Sequence, residues 1–348
     1  MTRGKPAVRV VKERPFNAET PIAALADPVV PNELFYVRNH FDVPELFVDE
    51  WRLTVDGAVA KPLELGMEDL QRHPESTLAV TMECAGNGRA LMDPLPPGEG
   101  WAYGAVSTAR FTGVSLRLVL GEARLLPDAM EVVFTGADRG RAGPGRMIPY
   151  AYGISLEQTL RSDTLLAWAM NDDPLSADHG FPLRLVVPGV YGMASVKWLT
   201  HVRVVTSLFA GYFPAQYRYV DEPGSSQDRP VAAMRVKAVI ARPEHGAVLP
   251  VAPFVVAGTA WSGSGSVTRV EVSPDGGNTW ADADLDAPWS QYAATPWRFS
   301  WTPGGPGSYM LAVKATNEAG HSQPLESSWN AHGYGNNEVH RIEVEIRE

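Results

Sequence analysis

The sequence predicts an α+β body followed by an all-β sandwich. Three observations carry this. Residues 35–208 interleave strand-like and helix-like patterns with irregular loops between them. The chain then turns polar and turn-rich near residue 225, in EPGSSQDRP. Beyond that point the helical patterns vanish and only short alternating runs remain. Irregular interleaving favours α+β over a regular doubly wound sheet. The expected division is 1–228 and 229–348, with 1–32 as an N-terminal arm wrapping the body.

The elements read as follows. DEWRLTVDGAV (49–59) alternates like a strand and ends in a turn, and MEDLQRHP (67–74) is a short helix closed by Pro74. STLAVTME (76–83) is an apolar strand leading straight into Cys84. SLRLVLGEARL (115–125) has helical spacing. EVVFTGAD (131–138) is a strand entering a loop, and SLEQTLRSD (155–163) is helical. PLRLVVPG (182–189) and VKWLTHVRVV (196–205) are strands. In the second part VTRVEVS (267–273), SYMLAVKATN (308–317) and VHRIEVEIRE (339–348) alternate, and PDGGNTW supplies a hairpin turn.

Composition excludes several functions. Thirty Lys+Arg against forty Asp+Glu give a net charge of -10 over 348 residues. That argues against nucleic-acid or anionic-membrane binding, where a basic face supplies the attraction. An anionic substrate therefore needs a local basic cluster. One cysteine rules out an internal disulfide and any multi-cysteine metal site. No run approaches the roughly 20 apolar residues of a membrane span. The N-terminus, MTRGKPAVRVVKERPFNAETP, lacks a secretory apolar run, so the expected location is cytoplasmic.

Three segments carry chemistry. Cys84 sits in TMECAGNGR, where Ala-Gly-Asn-Gly lets the backbone turn sharply and Arg89 follows five residues later. A thiol beside a cation has a lowered pKa and is available as a soft thiolate ligand. The same lone cysteine also fits a small buried hydrophobe, or a nucleophile whose histidine partner the sequence does not identify. FYVRNHFDVP (35–44) places Arg38, Asn39 and His40 together between apolar flanks, as a cavity wall or as a loop with incidental charges. DHGFPLRLVVPGVYGMASVKWL (178–199) sets His179, Arg184 and Lys197 among apolar residues and glycines. Arg and Lys serve phosphate well, although apolar strands also carry exposed basic residues. A thiolate with several anion-binding groups suits a phosphate-bearing metal cofactor.

The ordered series YVRNHFDVP, CAGNGR, WAYGAVSTARFTGVSL, DHGFPLRLVVPG and VKWL resembles the sulfite oxidase family, whose molybdenum domain eukaryotic nitrate reductases share. GTAWSGSGSVTRVEVSPDGGNTW resembles that family's immunoglobulin-like dimerisation domain. The similarity runs from about residue 33 to the end. It implies a molybdopterin-binding oxidoreductase domain followed by an immunoglobulin-like β-sandwich. It also implies a molybdenum-molybdopterin cofactor, with Cys84 as the protein's ligand to the metal.

The resemblance further implies that the cofactor is contacted by Tyr36, Val37, Arg38, Asn39 and His40. Asp138, His179, Arg184, Ser195, Val196 and Lys197 complete that set, with Arg184 and Lys197 toward its phosphate. Arg38, Arg89 and Trp101 match members of the family's substrate pocket. GYFPAQYRY (211–219) is one residue shorter than the family's tyrosine-bearing stretch, which makes Tyr217 the candidate there. WNAHG puts His332 where the family has an arginine, and GMAS (192–195) lacks the family's Arg.

The implied activity is oxygen-atom transfer on a small oxyanion, sulfite foremost, with electrons passed to a separate acceptor. The reverse direction, reduction of nitrate or a sulfoxide, is the alternative, and a non-catalytic cofactor carrier is the other. No haem is expected in this chain. A homodimer is expected through the sandwich, and a concentration-independent monomer in sedimentation would contradict it.

Overall fold

A computed structural model describes residues 7–142, 145–220 and 228–348. The linker expected at EPGSSQDRP lies mostly outside the described residues.

The first part is built on two five-stranded sheets. In one, Glu75–Glu83 pairs with Val106–Ser115, which pairs with Leu165–Met170, and Asp173–Pro174 and Arg184–Val186 add to the last. In the other the order is Leu63–Leu65, Leu53–Gly57, Leu199–Val205, Glu131–Ala142, Arg146–Ser155. Only Leu53–Gly57 and Leu199–Val205 run parallel there. In the second sheet Leu53–Gly57 and Leu199–Val205 keep one face partly toward solvent, while the central strands of the first bury side chains on two faces. Val106–Ser115 shows this most plainly. It is almost wholly buried yet rich in Ser and Thr. Thr108 meets Thr81 at 2.6 Å and Ser107 meets Thr20 at 2.6 Å, so these hydroxyls satisfy one another inside.

Helices are short. Leu116–Ala123 is the longest and buries Leu116, Val119, Leu120 and Ala123 on one stripe. The helix expected over 155–163 is a single turn, Leu156–Thr159, with Ser155 capping Gln158 N–H. The strand expected to end at residue 138 continues to Ala142, with a register shift between Thr135 and Arg139. That bulge re-aims Asp138. The arm is anchored through Asn17–Glu19, all buried, and Ala18 bridges to Val37.

The second part is a sandwich of a four-stranded and a five-stranded sheet. His340–Arg347 alternates strictly, with His340, Ile342, Val344 and Ile346 buried. Ala238, Ile240, Val256 and Trp297 from one sheet meet Val270, Val272, Leu311 and Val313 from the other in a single core. No helix occurs among the described residues beyond 228. Among the described residues, no helix is long and apolar enough to cross a membrane.

Candidate functional site

Two openings meet at Cys84. The first runs toward His179 and Lys197, and the second, toward Arg89 and His332, lies beside it. Arg38, His40, Cys84 and Tyr217 line both.

The cysteine loop explains the junction. Strand Glu75–Glu83 delivers Cys84, whose N–H donates to Ala105 O at 2.8 Å. The chain then folds back, with Asn87 N–H donating to Cys84 O at 2.9 Å and Arg89 N–H to Gly86 O at 3.0 Å. Gly86 has to be glycine for the arginine's sake, since a Cβ there would stand 2.6 Å from the Arg89 guanidinium. Gly88 adopts φ 89°, a left-handed conformation that glycine takes without strain.

The first opening collects ten of the eleven residues the resemblance assigns to the cofactor: Tyr36, Arg38, Asn39, His40, Asp138, His179, Arg184, Ser195, Val196 and Lys197. Val37 is the exception. Its N–H and C=O are both committed to Ala18, at 2.9 and 3.0 Å, so it holds the arm and does not line the opening. Arg184 donates to His179 O at 3.0 Å, while its Nε is buried without a partner. Lys197 donates to Asp178 O at 2.7 Å and to Asn39 Oδ1.

Burial and the neighbouring Arg184 both push the Lys197 pKa below the ordinary lysine value. Arg184 is itself lowered to about 10 by burial, and so stays charged at neutral pH. Burial raises Asp138, against the pull of Lys197. Burial holds His179 down to about 3, and His40 falls well below its ordinary value for the same reason. Both imidazoles are neutral at pH 7. Two buried cations that repel each other, one with an orphaned N–H, form a site that an anion would relieve.

The second opening collects all five candidate catalytic residues: Arg38, Arg89, Trp101, Tyr217 and His332. Arg89 Nε donates to His332 O at 2.9 Å and its Nη1 to Glu99 O at 3.0 Å. Neither Arg38 nor Arg89 forms an ion pair with a carboxylate within 4.0 Å among the described residues. Trp101 is fully buried, and its indole N–H has no partner. Tyr217 and His40 share a hydrogen bond of 2.9 Å. Burial, then Arg89, lowers the His332 pKa, so this side chain adds no charge at pH 7.

The lowered thiol pKa expected for Cys84 is not found. The thiol is buried, and desolvation raises its pKa despite the opposing pull of Arg38 and Arg89. The neighbouring Arg89 is visible in the sequence, whereas the burial of Cys84 arises only in the fold.

Some wall residues escaped the sequence reading. Tyr150, Met193 and Trp198 line the first opening, with Tyr150 Oη donating to Met193 O at 2.7 Å. Tyr334 and Glu99 line the second, Tyr334 stacking near Tyr217 and lying 5.3 Å from the Arg89 guanidinium carbon. Tyr334 stands two residues after His332, where the motif as read had stopped. Tyr150 lies on a strand whose pattern was not recognised.

Among the described residues no group of three or more His, Cys, Asp or Glu is placed to hold a metal. The chain offers one thiol and, among the described residues, no cluster of further ligands beside it, so a metal here must arrive with most of its own. That fits a metal carried by a phosphate-bearing organic cofactor. The soft donor is Cys84, and the buried cations and the orphaned Arg184 N–H suit the phosphate.

Comparison with known proteins agrees. Residues 40–213 match the family profile "Oxidoreductase molybdopterin binding domain", and 228–347 match "Mo-co oxidoreductase dimerisation domain". The chain is 37% identical over 363 residues to chicken sulfite oxidase, covering 97% of this chain and 77% of that one. The chain belongs to the sulfite oxidase family.

Other members of the family match as well. Rat mitochondrial sulfite oxidase is 35% identical over 364 residues, covering 98% of this chain, which spans only 66% of the rat enzyme's length. Barley nitrate reductase [NAD(P)H] is 33% identical over 381 residues, covering 97% of this chain and 42% of that enzyme. Among solved structures, the sulfane dehydrogenase SoxCD of Paracoccus pantotrophus superposes with a TM-score of 0.84 at 28% identity, covering 98% of this chain and 90% of that one. The family's molybdopterin-binding domain and immunoglobulin-like sandwich account for the two parts of the fold described above.

Proposed function

We propose that this protein oxidises sulfite to sulfate, passing two electrons singly to a separate acceptor. The observation that carries the reading is the pair of guanidiniums, Arg38 and Arg89, without a carboxylate ion-pair partner among the described residues, in an opening that Cys84 also lines. The overall reaction takes sulfite and water to sulfate, two protons and two electrons. When bound, the molybdenum cofactor supplies the oxygen-atom transfer and stores both electrons.

The chain's own residues do the rest. Cys84 is the protein's metal ligand. Arg184 and Lys197 hold the cofactor's phosphate, and Asn39, through its bond to Lys197, keeps that ammonium aimed. Arg38 and Arg89 bind the oxyanion and stabilise its charge in a partly dry pocket. Trp101 forms part of the pocket wall. Tyr217, bonded to the neutral His40, orients the substrate and gives protons a route out. Pairing of two chains through the sandwich is part of the same reading.

One observation favours a second reading, reduction of nitrate or a sulfoxide. The uncharged His332 stands where the family has an arginine, so the pocket holds a dianion less firmly. Steady-state assays on metal-quantified protein separate the two. Rapid sulfite-dependent reduction of a one-electron acceptor, with no oxidation of a reduced dye by nitrate or sulfoxides, is expected. The converse pattern would overturn the proposal.

A further inference from the structure

The residue before the metal ligand is Glu83, and its carboxylate is buried at 2% exposure. Asn87 Nδ2 donates to it at 2.9 Å and Trp261 Nε1 at 2.9 Å, and Lys237 Nζ stands 3.6 Å away. Asn87 also accepts Ala105 N–H through Oδ1 at 3.1 Å, so its side chain bolts the loop to the strand beside it. Trp261 and Lys237 belong to the sandwich, not to the body that carries Cys84.

The sandwich side also reaches the loop's backbone. Gly335 N–H donates to Ala85 O at 2.7 Å, Lys237 Nζ to Asn87 O at 3.4 Å, and Asn336 Nδ2 to Gly88 O at 2.9 Å. Lys237 is 1% exposed and is held in turn by Asn336 O at 2.8 Å. Three carbonyls of the turn following Cys84 thus take their donors from the C-terminal part of the chain.

A buried ion pair is a poor source of stability, because desolvating two charges offsets most of their attraction. Its use lies in fixing geometry. The glutamate next to the ligand faces a buried lysine, and that lysine comes from the sandwich.

We propose that Lys237, acting through Glu83 and Asn87, is a positioning residue for Cys84, so that the sandwich is part of the metal-ligand scaffold. This rests on the reading of Cys84 as the ligand. The single cysteine makes the idea directly testable.

The full-length protein is prepared as Lys237→Met, Glu83→Gln and the Glu83→Gln/Lys237→Met double variant, with Lys314→Met as control. Lys314 loses a half-exposed ion pair to Glu271 elsewhere in the same sandwich. Two readouts are taken: the thiolate-to-molybdenum absorption of the metal-loaded protein, and iodoacetamide alkylation of Cys84 in the cofactor-free chain. In the cofactor-free chain, freeing the turn from one anchor should speed alkylation by about tenfold through easier local opening. Lys237→Met and Glu83→Gln are expected to show this and to shift the absorption band at full metal content. Lys237→Arg should restore both, and Lys314→Met should match wild type.

If Lys237→Met fails to fold, the double variant, which leaves no unpaired charge, carries the test. Wild-type band position and alkylation rate in the folded variants would overturn the proposal. A wild-type protein with full metal and no thiolate band would instead overturn the ligand reading itself.

Discussion

At the scale of single residues, the anion pocket depends on Arg89 more than its charge alone implies. Its side chain is threaded past Gly86, Gly98 and Gly333, where added Cβ atoms would stand 2.6 and 2.7 Å from its guanidinium and 2.8 Å from its Cγ. Its N–H groups are pledged to two backbone carbonyls. Lysine keeps the charge but not the fork. Arg89→Lys and Arg89→Gln are both expected to lower kcat/KM for sulfite, each by roughly 10²-fold, with little change in cofactor content. A lysine variant with wild-type kcat/KM would show that charge alone suffices. Arg38, Asn39 and His40 were legible because adjacent polar groups between apolar flanks mark a wall, whereas Tyr36, Val37, Ser195 and Val196 followed only from the family resemblance. Val37 shows the limit. Inside that same cluster, its backbone is spent on the arm. Cys84 shows another, since a thiol's pKa depends on burial that no spacing reveals.

At the scale of elements, strands with one wet face were legible from their period and the apolar runs ending at Glu83 and around Leu185 from their composition, but the fully buried Val106–Ser115 was not. Leu53–Gly57 and His340–Arg347 alternate, and the period announces them. Val106–Ser115 has no such period, because small hydroxyls pair with one another inside the sheet.

His340 gives a measurable consequence of burial. Its Nδ1 accepts Ile240 N–H at 2.9 Å, and burial holds its pKa at about 3. The folded chain keeps this ring neutral, while the unfolded chain protonates it below about 6.5. Its contribution to stability is therefore full above pH 6.5 and is lost as pH falls toward 3, by about 1.4 kcal/mol per pH unit. Glutamine can accept the same bond without titrating. Urea unfolding from pH 8 to 4 should show the stability difference between wild type and His340→Gln constant above 6.5 and shrinking, then reversing, below it. Parallel curves throughout would mean that the ring titrates in the fold as it does in the unfolded chain.

At the scale of the whole molecule, a net charge of -10 coexists with a site built to hold anions. The fold reconciles the two by burying its cations. Arg89, Arg184 and Lys237 lie inside, where desolvation and neighbours set their strength, and the acidic excess is left to the rest of the chain. The division into a mixed body and a sandwich was legible from the loss of helical patterning. His332 already placed the second part at the pocket, but its hold on the cysteine loop was not legible, because Lys237 and Trp261 stand about 150 to 180 residues from that loop. No local signal marks a contact of that span.

The central claim is that sulfite reduces a molybdenum centre ligated by Cys84. Stopped-flow mixing of sulfite with metal-quantified protein, following the thiolate- and dithiolene-to-molybdenum absorption, tests it most directly. Bleaching on the timescale of turnover is the predicted result. An unchanged spectrum in a protein carrying its full complement of molybdenum would contradict it.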